Sequence, residues 1–148
     1  MNEMLGSKAI LAPVIALVIW SLFMMTWMYA TRLPAMKRAG TLRGRIGGTG
    51  GSLDTVLDER IQWKAHNYNH LMEQPTLFYA LAITLCLLGH GGGIGLILAW
   101  SYVALRVAHS LVQATVNVVT ARFFLFIAAS LCLLGMTVDA ATIILGAH

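Results

Sequence analysis

Charge is what this chain has least of. Asp, Glu, Lys and Arg make up 11% of its 148 residues, less than half the roughly 25% of ordinary soluble domains. Cysteine is scarce too. Cys86 and Cys132 both sit in apolar runs without metal-ligand spacing, which excludes a disulfide framework and reads as two small core residues. The run GRIGGTGGSLD lacks the Gly-Lys-Ser/Thr ending and the preceding strand of a phosphate-binding loop, so it reads as a flexible connection. Basic residues are not interleaved with aromatics, so nucleic acid is not an expected partner. The length fits a single domain.

What is abundant is uninterrupted apolar sequence. Hydrophobic residues reach 58%, against about 45–50% in soluble domains. Residues 9–30 carry no charge, residues 76–101 none apart from His90, and residues 123–138 none. A membrane-spanning helix needs about 20 mostly apolar residues. The chain therefore reads as an all-α, integral membrane four-helix bundle. Its one transmembrane domain covers 1–148, with helices over 8–29, 58–88, 94–118 and 121–145. The first run is longer than the apolar core of a signal peptide and lacks a small-residue exit, so it is expected to be a retained helix. Pro75 predicts a kink near Leu71 or Met72. The GHGGG turn at 89–93 makes the second and third helices antiparallel neighbours.

Seven of the ten basic residues lie between Arg32 and Lys64. Positive charge accumulates in cytoplasmic loops, so the basic loop 31–57 is expected to be cytoplasmic, with both termini on the other side. Asp139 lies 17 residues beyond Arg122, roughly 25 Å along a helix, near the opposite membrane face.

The polar residues inside this apolar territory point to function. Tyr102, Arg106, His109, Ser110, Gln113 and Asn117 share one face of the third helix. A guanidinium at mid-helix costs about 3 kcal/mol or more in lipid, so that face must look into protein or a wet cavity. The second helix offers Asn69, His70 and Glu73, and a Glu73–Arg106 ion pair would neutralise two costly charges. Two readings stand side by side. One is a polar network that fixes helix register. The other is a site rich in cationic and amide donors that receives a small anion from the cytoplasmic edge. A metal at His66, His70 and Glu73 has usable spacing, but the nearby arginines repel a cation and no second carboxylate lies at that depth.

The segment YNHLMEQPTLFYA, followed by AWSYVALRVAHSLVQATVN and Arg122, resembles the MAPEG family, the membrane-associated proteins in eicosanoid and glutathione metabolism. The resemblance covers the second and third helices and the start of the fourth. It implies a four-helix bundle assembled as a homotrimer, with glutathione as co-substrate between subunits near the cytoplasmic side. It also implies a lipophilic electrophile or peroxide arriving from the bilayer. Arg122 matches the arginine expected to stabilise the glutathione thiolate, since a guanidinium favours the charged sulfur. Arg106, His109, Glu73, His70, Asn69, Gln113 and, more loosely, Arg32 match positions that hold the tripeptide or brace the site. Gln113 and Phe126 stand where the family often has tyrosine, and His66 and His70 replace an arginine and an asparagine. These departures keep open a non-catalytic lipid-binding or scaffolding role. A bacterial-type inner membrane is the expected location.

Overall fold

The computed structural model describes residues 8–42 and 50–146. Gly44, Gly47 and Gly48 of the glycine run lie outside the described residues. Among the described residues five helical segments follow one another: α1 (Leu11–Arg38), α2 (Glu59–Glu73), α3 (Pro75–Leu87), α4 (Gly93–Thr115) and α5 (Val119–Gly146), with a short 3-10 turn at Gly50–Leu53 between α1 and α2. Three of them, α1, α4 and α5, are long and apolar enough to cross a membrane. The consecutive pair α2 and α3, of 15 and 13 residues, packs beside them.

The outward faces argue for lipid. On α1 the buried residues Pro13, Leu17, Ser21, Met24 and Met28 form one stripe at helical spacing. Around that stripe Ile15, Ile19, Leu22 and Phe23 are each more than half exposed. A water-soluble helix would carry charges on that face; here hydrocarbon faces outward over residues 15–23.

Three boundaries differ from the sequence expectation. The first helix does not end at Tyr29 but runs on through Arg32 and Pro34 to Arg38, so the loop expected at 31–57 begins later. Pro34 lacks only the donor to the Ala30 carbonyl, and residue 30 is exposed. Lys37 and Arg38 then complement the negative end of the helix dipole. Gly40, at φ 69°, closes the helix, with Thr41 N–H reaching back to the Met36 carbonyl at 3.1 Å. The second helix is divided at Gln74, where Pro75 cannot donate to Leu71, although Gln74 itself keeps helical dihedrals, φ −60° and ψ −37°. The third helix stops at Thr115 instead of 118. Asn117 adopts φ 52° and its N–H returns to the Val112 carbonyl at 2.7 Å, a left-handed closure that Asn tolerates better than most residues.

The core is built around α4. Ala99, Tyr102, Val103 and Ala114 are buried against Leu71, Phe78, Ala82 and Leu85 of the divided helix and Ala129, Leu133, Met136 and Ala140 of α5. Small residues bring α4 and α5 close: a Cβ on Gly135 would lie 2.9 Å from Leu98 Cδ1. At the far end of the bundle, Asp139 Oδ2 lies beside Gly95 in the first turn of α4. That matches the depth read from the spacing, and the α4 dipole there favours a carboxylate.

Candidate functional site

Arg106 sits at the centre of the bundle, 1% exposed. The expected ion pair with Glu73 does not form. Among the described residues, Glu73 pairs instead with His70 one turn back, Nδ1 to Oε2 at 3.3 Å, and its side chain is 70% exposed. Arg106 finds backbone and amide partners. Its Nη2 donates to the His70 carbonyl at 2.8 Å and its Nη1 to Gln74 Oε1 at 3.4 Å. Gln74 passes the network on, donating from Nε2 to Ser130 Oγ at 2.8 Å, and Ser130 donates to the Phe126 carbonyl. The His70 carbonyl and the Gln74 amide lie within reach of the guanidinium, while the Glu73 carboxylate points outward, 70% exposed.

One helical turn toward the α4–α5 junction, the polar face opens into a cleft of 220 Å³ lined by His70, His109, Val119, Arg122, Phe123 and Phe126. The two imidazoles stack, centroids 5.1 Å apart and planes 24° off parallel. Phe126 tilts against His70 at 5.5 Å and His109 at 6.4 Å. Arg122 is half-buried in the first turn of α5. Its Nη1 donates to Asn117 Oδ1 at 2.6 Å, and its Nε is buried without a partner among the described residues. Asn117 thus does two jobs from one strained position: it ends α4 and it aims Arg122. The cleft combines a cationic head, two ring nitrogen pairs and an apolar wall.

The structure gathers His70, His109 and Arg122 here, with Arg106 directly behind them. Gln113 is buried on the same face of α4, its Oε1 without a partner among the described residues. The remaining expected residues lie elsewhere on the single chain. Asn69 is exposed; its neighbour Asn67 is the buried amide, donating to Ser110 Oγ at 2.6 Å. Arg32 donates from Nη2 to the Gly50 carbonyl at 2.8 Å and so tethers the 3-10 turn. Among the described residues, no three His, Cys, Asp or Glu side chains gather around a metal position. His66 is drawn away from His70 by Asp54, Nε2 to Oδ1 at 3.0 Å. Asp54 also accepts from Gln62 Nε2 at 2.6 Å. The hydrogen bond with His66, aided by Gln62 and opposed by desolvation, holds the Asp54 carboxyl below the usual carboxylate range.

Sequence reasoning missed Gln74, Ser130 and Asn67. The signal for Gln74 was present: it lies four residues beyond His70, on the same helical face. Asn67 and Asn69 are separated only by which one faces α4, and Ser110, already on the polar face, is what selects Asn67.

No curated protein and no solved structure matches the chain. A family match does exist, and it covers the bundle from the start of α1 into the last turns of α5: residues 10–142 match the model of the MAPEG family. The apolar outer faces, the polar face of α4 and this match over nearly the whole length agree, and the chain belongs to the MAPEG family.

Proposed function

We propose that this protein is a glutathione-dependent transferase or peroxidase of the membrane, in which the thiolate of glutathione attacks a lipophilic electrophile or peroxide. The observation that carries the reading is the cleft at the α4–α5 junction. A half-buried guanidinium, Arg122, stands beside an apolar wall of Val119, Phe123 and Phe126. An anion-stabilising group next to a hydrocarbon surface suits a reaction between a polar thiol and a substrate dissolved in lipid. Arg122 stabilises the thiolate, and His70, His109, Arg106 and Gln113 position the tripeptide.

The single-chain cleft of 220 Å³ is below the roughly 300–1,000 Å³ of ligand pockets. Glu73, which pairs with His70, and Asn69 both present exposed polar side chains on α2, which lipid would not favour. Both observations support a homotrimer whose neighbouring subunit completes the site. The basic residues at the α1–α2 end support a cytoplasmic orientation for that end in a bacterial-type inner membrane.

Calorimetric titration of the detergent-purified protein with glutathione tests the proposal. Saturable heat that disappears in Arg122→Ala is expected; no heat at millimolar glutathione refutes it. A second reading, a non-catalytic lipid-binding or scaffolding protein, draws on Phe126, which covers both imidazoles with hydrocarbon. It predicts co-purifying lipid that persists in Arg122→Ala.

A further inference from the structure

A guanidinium stabilises a thiolate but cannot accept the proton that makes one, because it is protonated at every accessible pH. Water would ordinarily take that proton. In a bundle whose outer faces are apolar, water reaches the cleft only from its mouth. The site therefore needs a base of its own, and neither arginine can be one.

We propose that His70 is that base and that Glu73 orients it. The inference rests on the glutathione reading above. His70 is restrained on every side. Its Nδ1 faces Glu73 Oε2 at 3.3 Å. Its ring is clamped between His109 at 5.1 Å and Phe126 at 5.5 Å. Its carbonyl is fixed by Arg106 Nη2 at 2.8 Å. Nε2 has no hydrogen-bond partner among the described residues, and the side chain, 26% exposed, lines the cleft with Arg122. A carboxylate on Nδ1 sets the tautomer that leaves a lone pair on Nε2 and balances the charge once that lone pair is protonated. His109 is the less suitable ring: it is 2% exposed and has no carboxylate partner among the described residues.

The step balances simply. The thiol proton passes to His70 Nε2, and the S–H electron pair stays on sulfur as a thiolate beside Arg122. The imidazolium then gives its proton to the departing group or to solvent at the cleft mouth. The charged and titratable groups facing His70 are Glu73 on its own helix, Arg106 and His109 from α4, and Arg122 from α5.

Glutathione is titrated into wild type, His70→Gln and Glu73→Gln by calorimetry. Thiolate formation is then followed by its ultraviolet band in stopped flow across pH. Expected, at glutathione concentrations that saturate each protein, is a fall in the thiolate-formation rate of order 10²-fold in His70→Gln, with the acid limb of the profile lost. In Glu73→Gln the acid limb moves to lower pH, because the imidazolium has lost its counter-charge. That variant carries the test if His70→Gln fails to fold. Unchanged rates and profiles in either folded variant overturn the base and leave the glutathione reading intact. Absence of glutathione binding in wild type overturns both.

Discussion

Asn117 allows two physical effects to be separated at one position. It holds φ 52° and its Oδ1 receives Arg122 Nη1 at 2.6 Å. Asn117→Gly keeps the left-handed turn and removes only the side-chain acceptor. A hydrogen bond to a charged group contributes about 1.5–3 kcal/mol, and half-buried Arg122 belongs at the lower end, about 1.5 kcal/mol. Asn117→Ala removes the same bond and forces a Cβ into the left-handed region. That adds about 1 kcal/mol after allowing for the greater unfolded-state entropy of glycine. The expected losses are therefore about 1.5 kcal/mol for glycine and about 2.5 kcal/mol for alanine. Equilibrium unfolding in mixed micelles of rising dodecyl sulfate fraction, followed by tryptophan fluorescence, gives both values. Equal losses would show that the turn carries no strain. Glycine at wild-type stability would show that the Arg122 contact contributes nothing.

Further outcomes follow from other contacts. Asp54 has its carboxyl held below the usual range in the folded protein, so its contribution is full above the unfolded value and lost as pH falls through the folded one. The protection factors of the amides of residues 53–57, taken against the intrinsic rate at each pH, should be constant from neutral pH down to about pH 4 and fall below it, while Asp54→Asn should show low protection throughout. Ser110→Ala leaves the buried Asn67 amide without its acceptor and should cost about 1–3 kcal/mol in the same micelle assay; Asn67→Leu added to it should recover part of that loss. Gly135→Val drives carbon into Leu98 and should cost about 1–3 kcal/mol, relieved by Leu98→Ala.

The membrane class, the helix count and the polar face of α4 were legible because each depends on long-range composition or on 3.6-residue periodicity. Arg106, His109 and Gln113 are buried on one face as their spacing requires. Partnership was less legible. Charge complementarity suggested Glu73 for Arg106, but the guanidinium reaches the His70 carbonyl and the Gln74 amide instead. Helix ends were least legible. Pro34 reads as a terminator in sequence, yet it costs α1 one bond on an exposed turn. Asn117 reads as another polar residue of the α4 face, although its backbone has already left the helix. His66 was drawn toward His70 by spacing and is instead claimed by Asp54, a residue on a loop whose path periodicity does not describe.

The division at Gln74 has a consequence for how the protein enters its membrane. The polar segment α2 precedes an apolar helix α3 of only 13 residues, short of the roughly 20 that partition as an independent span. The 89–93 turn ties α3 to α4, whose 23 residues are long enough. A hairpin of α3 and α4 supplies the apolar length that α3 alone lacks, and the buried Asn67 of α2 has its acceptor, Ser110, on α4.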